Sequence, residues 1–269
     1  MIIEIKIFLR RVLGNYIYDF FKILKDKLIQ FSNPRKQLYN LQKDLEYNEK
    51  VLSKFFGSYD KKKISEILVT NKLKYSSNEL SWHYHLFTCF NNSPKNILEI
   101  GTLSGEFTNY LSNLYPESKI YSIDLYQDDK NFKNTYDRNT DDKLSKFIEL
   151  RKNNLKNKNI IFKELDSFNL LNHFKDIEFD LVWIDGDHLN PQVTIDIFST
   201  YNLLNKDGIM MCDDIIKDSY ESSYVDNQSF KTLSSFQDKN LLSNNYILKR
   251  INKNNYKNKK FISISKKIN

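Results

Sequence analysis

Residues 96–108 read NILEIGTLSGEFT, which is a short apolar run, a turn with two glycines and the beginning of a helical segment. Gly101 allows a sharp turn after the strand, and Gly105 opens the helix where a larger side chain would block a ligand. The next apolar run ends in Asp124, whose carboxylate can accept hydrogen bonds from both hydroxyls of a ribose. The pattern therefore predicts a strand–turn–helix unit that binds a ribose-containing cofactor.

From Lys95 onward, β-type runs alternate with helical segments. The predicted strands are 97–100, 120–124, 160–164, 181–185, 209–213, 246–251 and 260–265. Such alternation is typical of a parallel sheet with helices on both faces, and the last two strands can form an antiparallel hairpin. The predicted fold class is therefore α/β: a Rossmann-like, doubly wound, mostly parallel seven-stranded sheet with a C-terminal antiparallel hairpin and N-terminal helices. Ligands of such sheets bind beyond the carboxyl ends of the strands.

Residues 1–75 are predicted to form an N-terminal helical segment ahead of the α/β domain, residues 76–269. Apolar residues recur at helical spacing through residues 1–31, and Lys and Arg occupy the other faces. Charged side chains keep every apolar run shorter than the roughly 18 residues that a membrane span requires. This amphipathic helix could dock on its own domain or on a second subunit, or it could lie on an anionic membrane surface.

The composition limits the partners that are expected. The formal net charge is +7, and from Lys249 to the end the chain has basic residues and no acidic ones. This tail is either a solvated edge hairpin or a patch for an anionic partner. No stretch mixes basic and aromatic residues as a nucleic-acid platform would, so no nucleic acid is expected as a partner. Two cysteines in apolar surroundings argue against disulfides and a zinc site, and they favour a reducing, cytoplasmic location.

The glycine turn favours a sulfonium cofactor over a dinucleotide. A dinucleotide site would need a further close-packed glycine, so that backbone amides at the helix N-terminus could meet a pyrophosphate. Here the spacing is Gly-x-x-x-Gly, and Glu99 lies at the end of the strand. A carboxylate there would repel phosphates, but it suits the cationic amino acid end of a sulfonium compound, directly or through water.

From about Lys95 to the end, the chain resembles the class I S-adenosylmethionine-dependent methyltransferases. The resemblance implies that Glu99 and Gly101 line the methionine part of S-adenosyl-L-methionine. It also implies that Asp124 holds the ribose, while Asp166 and Ser167 lie against the adenine. The full set of cofactor-binding residues predicted in this way is Glu99, Gly101, Thr102, Ser104, Gly105, Asp124, Asp166, Ser167 and Asp185.

Two further strand ends carry clustered acidic residues. Residues 179–188 read FDLVWIDGDH and residues 208–214 read GIMMCDD, so Asp185, Asp213 and Asp214 are expected to converge at one edge of the cleft. Three carboxylates in one place raise each other's pKa unless a cation joins them, and hard oxygen ligands suit Mg²⁺. Such a metal would orient two adjacent substrate hydroxyls and lower their pKa. Asp187 and His188 are then the candidates for the base that takes the proton.

This portion resembles the metal-dependent O-methyltransferases, in particular the branch that methylates sugars of macrolide and aminocoumarin antibiotics. The resemblance implies that Asp185, Asp213 and Asp214 bind Mg²⁺ and that Asp187 is the base. His188 is the alternative, because it stands where catechol-methylating relatives carry a lysine. The chain is thus predicted to catalyse magnesium-assisted O-methylation of a small-molecule or glycan acceptor, through a hydroxyl of a sugar, glycan or glycosylated metabolite. A catechol or small amine methylated without metal, or a non-catalytic Rossmann-like binding module, are the alternatives.

Residues 215–237 follow the strand that is predicted to carry Asp213 and Asp214, and they are expected to cover the acceptor. This segment carries aromatic, amide and acidic side chains, which are Tyr220, Tyr224, Asp226, Asn227, Gln228 and Phe230. Aromatic faces combined with amide groups suit a polyhydroxylated ring, which is why the sequence favours a sugar as the acceptor.

Overall fold

The computed structural model describes residues 34–55, 66, 82–90, 93–135, 138–217, 227–249 and 260–268. The predicted helix at 1–31 lies outside the described residues, as do most of the segment between 56 and 81 and the tip of the C-terminal hairpin. Residues 218–226 of the predicted acceptor cover are also outside them. The division of the chain at residue 75 therefore stays a prediction.

The described strands form one seven-stranded sheet in the order β3-β2-β1-β4-β5-β7-β6. The strands are β1 (Asn96–Ile100), β2 (Lys119–Asp124), β3 (Ile160–Glu164), β4 (Phe179–Ile184), β5 (Leu204–Ile215), β6 (Leu242–Leu248) and β7 (Phe261–Lys267). The first five strands pair in parallel, and β7 runs antiparallel between β5 and β6. The predicted Rossmann-like fold class with its C-terminal antiparallel pair is confirmed.

Helices cover both faces of the sheet, which is why the central strands are apolar on both sides. The helices are α1 (Pro34–Phe55), α2 (Trp82–Phe87), α3 (Glu106–Leu114), α4 (Lys130–Asn134), α5 (Asp141–Asn154), α6 (Leu170–His173), α7 (Gln192–Leu203) and α8 (Gln228–Asp238). One face buries Trp183 of β4 together with Trp82 and Phe87 of α2. The other face buries Val182 of the same strand together with Ile197 of α7. Among the described helices, none is long and apolar enough to cross a membrane.

Several strand boundaries differ from the predicted ones. β4 ends at Ile184, so Asp185 is the first residue of the following loop and not the last residue of the strand. β5 begins at Leu204 and β6 at Leu242, several residues before the apolar runs that predicted them. These early strand residues are largely polar and partly exposed, so they carry no apolar signal, and their backbone pairing extends the strands.

The topology brings the ends of β1 to β6 and the start of β7 to one edge of the sheet. The strand order reverses between β1 and β4, and this is the place where open α/β sheets bind ligands. Because β5 and β6 both run antiparallel to β7, the end of β6 reaches the same edge as the ends of β1, β2, β4 and β5. Lys249 follows β6 and Lys260 precedes β7, so both lysines lie at the edge that carries the predicted acidic cluster.

Candidate active site

The turn after β1 has the backbone that its glycines predict. Gly101 has a φ of +98°, and a Cβ atom there would lie 2.3 Å from the carbonyl oxygen of Asp185. Gly105 has a φ of +75° at the start of α3, where a Cβ atom would lie 2.8 Å from the Leu155 side chain. The turn between β1 and α3 therefore packs directly against the loop after β4, which holds the two halves of the predicted site together.

Asp124 connects the end of β2 to this turn. Its Oδ2 accepts a hydrogen bond from the Leu103 backbone N–H at 2.9 Å, and its Oδ1 accepts one from Leu125 at 2.8 Å. Arg151 lies 3.7 Å from Oδ2. Burial raises the pKa of Asp124, although these N–H groups and Arg151 act against the rise. The carboxylate thus lies at the end of β2 beside the turn, with acceptor lone pairs left on both oxygens.

Glu99 and Thr102 lie beneath the turn. The Glu99 side chain is 1% exposed, and its Oε2 accepts hydrogen bonds from Ser122, at 2.5 Å, and from Thr108. Burial raises the pKa of Glu99 to about 8, against the effect of these two hydroxyl groups. The Thr102 and Ser122 hydroxyls are hydrogen-bonded to each other at 2.6 Å. Both predicted cofactor residues therefore support the turn from inside the protein. The Glu99 carboxylate is not exposed at the surface, where a direct contact with the cofactor would require it.

The other predicted cofactor residues are spread around the edge. Asp166 follows β3 and caps a short 3₁₀ turn by accepting a hydrogen bond from Phe168 N at 3.0 Å. The Ser167 hydroxyl is buried and donates to Asp196 of α7 at 2.6 Å. Ser104 accepts a hydrogen bond from Asn154 through its backbone carbonyl at 2.8 Å. Of the two residues predicted to lie against the adenine, Asp166 uses one carboxylate oxygen in its bond to Phe168, whereas the Ser167 hydroxyl is bonded to Asp196 inside the protein.

The acidic cluster contains two lysines that the sequence interpretation assigned to a basic tail. The Lys249 ammonium group donates to Asp214 Oδ1 at 2.7 Å and, in a short contact, to Asp213 Oδ2. Lys260 donates to the other oxygen of Asp214. Burial raises the pKa of Asp213 to about 7, whereas the two lysines overcome burial and hold the pKa of Asp214 at about 2. Lys249 is thus neither a solvated residue nor part of a patch for an external anion.

His188, rather than Asp187, lies beside this cluster. His188 Nε2 is 3.7 Å from Asp185 Oδ1. Burial lowers the pKa of His188, but the Asp185 carboxylate and the two aspartates of β5 raise it more. Asp187 is exposed, and its Oδ1 accepts a hydrogen bond from Leu189 N at 2.9 Å. The structure therefore places the alternative base, and not the preferred one, next to the predicted reaction centre.

Residues 98–215 match a protein family model described as a methyltransferase domain. This match covers less than half of the chain. Two solved structures are similar: the cofactor-bound protein Rv0187 from MTB, and a candidate O-methyltransferase from Klebsiella pneumoniae. The first has 17% identity and a TM-score of 0.52, over 80% of this chain and 93% of that one. The second has 15% identity and a TM-score of 0.50, over 82% of this chain and 96% of that one.

These structural similarities show that the fold is a Rossmann-like methyltransferase fold. No protein of curated function matches the chain at a significant level. The region that matches the family model begins within β1 and ends with β5. It therefore contains the glycine turn, Asp124 and the three aspartates, but it does not contain Lys249, Lys260 or α2.

The predicted magnesium site does not fit the arrangement of these side chains. Among residues 34–55, 82–90 and the other described ranges, no group of three or more metal-binding side chains could hold an ion. Lysine ammonium groups contact one oxygen of Asp213 and both oxygens of Asp214, and Asp185 is paired with His188. Mg²⁺ requires near-octahedral oxygen coordination at about 2.0–2.1 Å, so it would have to displace these cations.

A cluster of aromatic rings from α2, α3 and β4 was not predicted. His83 of α2 stacks on Trp183 of β4, with ring centroids 5.3 Å apart and an angle of 20° between the planes. It also meets the edge of Phe107 in α3 at 4.6 Å. His83 contributes to lowering the pKa of Asp185, although less than His188 and Lys249 do. The aromatic run at 82–85 was the only sign of this cluster in the sequence. The sequence of α2 does not show which strand the helix covers, so its contact with β4 could not be predicted.

Proposed function

We propose that this protein is an S-adenosylmethionine-dependent O-methyltransferase that acts on a hydroxyl group of a sugar, glycan or glycosylated metabolite. The observation that carries the proposal is the meeting of two groups of side chains at one sheet edge of a methyltransferase domain. One group is Asp124 with the Gly101 turn, and the other is His188 with Asp185 and the acidic residues of β5. Gly101 joins them through its close approach to Asp185.

The first group of side chains, Asp124 with the Gly101 turn, suits S-adenosylmethionine. Asp124 offers carboxylate oxygens for a ribose at the end of β2, and Asp166 is available after β3. The carboxyl group of Glu99 beneath the turn favours a cationic ligand over a phosphate, because a nearby positive charge would stabilise its ionised form. When bound, S-adenosylmethionine supplies an electrophilic methyl group, whose bond to sulfur breaks with the electron pair left on the sulfur.

The second group of side chains, which contains His188 and Asp185, can accept the proton of the acceptor hydroxyl. The imidazole of His188 takes this proton, and Asp185, which lies beside Nε2, orients the ring and stabilises its protonated form. This assignment replaces Asp187, whose carboxylate points to the solvent and is used in its own loop.

A polar acceptor is supported by the position of α8. The side chain of Gln228, at the start of α8, accepts a hydrogen bond from Asn190 N in the loop that carries His188. The Phe230 ring packs against Tyr246 of β6, with centroids 5.6 Å apart. The contact of Gln228 with the loop that carries His188 supports a cover of amide and aromatic groups over a polyhydroxylated ring. A catechol would make less use of the amide groups.

The test is transfer of a radiolabelled methyl group from S-adenosylmethionine to a panel of glycosides with adjacent hydroxyls, with catechols and primary amines as comparison acceptors. We expect labelled glycosides, and an ether product that resists mild alkali. With the best acceptor, His188→Ala should lower kcat about 100-fold or more, because general base catalysis is worth that much. His173→Ala, an exposed histidine of α6, is the matched control and should leave kcat unchanged.

Two results would contradict the proposal. Methyl transfer to amines alone would show that the acceptor is not a hydroxyl group. A larger loss of kcat in Asp187→Ala than in His188→Ala would show that Asp187 is the base.

A further inference from the structure

Lys249 lies at the centre of the acidic cluster, at a position that three chain segments determine. Its backbone N–H donates to the Lys260 carbonyl at 2.9 Å, and its own carbonyl accepts from Trp82 N at 2.9 Å. The preceding residue, Leu248, is held on both sides of its peptide unit by the buried amide of Asn48. The Lys249 side chain is 11% exposed. Its ammonium group is thus fixed between Asp213 and Asp214 by the fold.

We propose that Lys249 is the built-in cation of the acceptor site, in the place that a divalent metal ion would otherwise take between Asp213 and Asp214, so that methyl transfer needs no divalent metal. The proposal rests on the function proposed above, because it assigns Lys249 to the hydroxyl acceptor of that reaction. The residues that carry it belong to β5 and to the C-terminal strand pair.

The charges of the cluster favour a resident ammonium group. Adjacent buried carboxylates repel each other, and each raises the pKa of the other unless a cation lies between them. Lys249 contacts both aspartates and Lys260 contacts the second, so two positive charges already balance the two carboxylates of β5. An incoming Mg²⁺ ion would meet these two ammonium groups at contact distance. It would also have to remove them from the oxygens that it needs as ligands.

The ammonium group also has a donor to offer. Of its three N–H bonds, one goes to Asp213 and one to Asp214, which leaves the third for an acceptor oxygen. That N–H would bind the substrate hydroxyl while the His188 imidazole takes its proton, and it would stabilise the negative charge that develops on the oxygen. The oxygen then bonds to the methyl carbon, whose bond to sulfur breaks with its electron pair left on sulfur. A metal ion bound to the hydroxyl would perform the same two tasks, which are orientation and charge stabilisation.

The test is a titration of the purified protein with Mn²⁺, followed by electron paramagnetic resonance of the free ion, with no other metal present. The wild-type protein should show no stoichiometric site at millimolar Mn²⁺. Lys249→Met removes the cation but keeps the length of the side chain, so the carboxylates of Asp213 and Asp214 should be left to bind Mn²⁺ at one site per chain. Lys239→Met, at the exposed end of α8, is the matched control and should behave as the wild type.

Stoichiometric Mn²⁺ binding by the wild type, lost in Asp213→Asn, would overturn the proposal. A Lys249→Met variant that keeps the wild-type circular dichroism spectrum and binds no Mn²⁺ would overturn it as well. Since the wild-type titration needs no variant, a Lys249→Met protein that fails to fold does not prevent a decision. The wild-type methyl transfer rate should also be the same in excess EDTA and in excess Mg²⁺.

Binding of S-adenosylhomocysteine separates this proposal from the function on which it rests. Lys249→Met should bind S-adenosylhomocysteine within about threefold of the wild type, because the cofactor residues lie on β1 and β2, and it should lower kcat at least about tenfold. A protein with no affinity for S-adenosylhomocysteine would refute the methyltransferase function, whereas the Mn²⁺ titration would still decide whether Lys249 excludes a metal.

Discussion

A carboxyl group that is almost completely shielded from water lies directly beneath the proposed cofactor turn. Burial raises the pKa of Glu99 to about 8, from an ordinary value of 4.5, although Ser122 and Thr108 donate hydrogen bonds to it. Between these two pH values the unfolded chain has released the proton and the folded chain has kept it. The free energy of unfolding must therefore fall as the pH rises through this window.

Glu99→Gln should remove this fall, because the amide has the same shape and does not titrate. We expect the stability of Glu99→Gln relative to the wild type to increase by on the order of a few kcal/mol between about pH 5 and about pH 8. Urea unfolding of both proteins at the two pH values measures the difference. Glu149→Gln, on the exposed face of α5, is the control. A difference between Glu99→Gln and wild type that does not change with pH would show that Glu99 is ionised throughout.

Individual residues could be predicted where their role is local. Gly101 and Asp124 are determined by one turn and one strand end, so the spacing within a short stretch of sequence was enough to find them. Lys249 could not be found in this way, because its partners Asp213 and Asp214 lie 36 and 35 residues away along the chain. The two lysines meet the aspartates only because β6 ends, and β7 begins, at the same edge as the end of β5.

Among the secondary structure elements, α1 has a role that its heavily charged sequence does not suggest. β6 is the edge strand of the sheet, and unpaired backbone groups on an edge strand invite pairing with another chain. Asn48 of α1 donates its side-chain N–H to the Leu248 carbonyl at 3.0 Å and accepts from the Leu248 N–H at 2.7 Å. Tyr47 donates to the Tyr246 carbonyl at 2.9 Å. The helix thus acts as a substitute for a further strand and holds the segment that presents Lys249.

Asn48→Ala should lower the free energy of unfolding by about 2 kcal/mol or more, because it leaves a buried N–H and a buried carbonyl of Leu248 without their partner. Gln42→Ala on the same helix removes an exposed contact with Glu46, and it should change stability by less than about 0.5 kcal/mol. Chemical denaturation of the three proteins measures both values. Equal stabilities of the two variants would mean that α1 does not cover the β6 edge.

Whole elements were predictable where both faces of a strand are buried, as in β1 and β4. The beginnings of β5 and β6 were missed, because their residues are polar and follow the backbone pairing rather than an apolar pattern. The amphipathic pattern of a helix also does not identify its partner, so the contact between α1 and β6 had to come from the structure. The docking of the predicted helix at 1–31 on a membrane or a second subunit stays a prediction.

At the scale of the whole molecule, the sheet topology assembles a site from parts that are distant in sequence. The strand order reverses between β1 and β4, which places the cofactor turn beside the loop of Asp185 and His188. Because β7 runs antiparallel between β5 and β6, the end of β6 lies at the same edge, and Lys249 follows it there. We propose that residues 98–215 supply the cofactor-binding half and the base, and that the C-terminal strand pair supplies the cation.

The most direct test of the account is calorimetric titration of the protein with S-adenosylhomocysteine in the presence of EDTA. We expect micromolar binding by the wild type, and binding at least about tenfold weaker in Asp124→Ala, since a charged hydrogen-bond acceptor is worth about 1.5–3 kcal/mol. Asp128→Ala, an exposed aspartate in the loop after β2, is the control and should bind as the wild type does. An absence of binding in EDTA, or equal binding by the two variants, would contradict the proposed cofactor site.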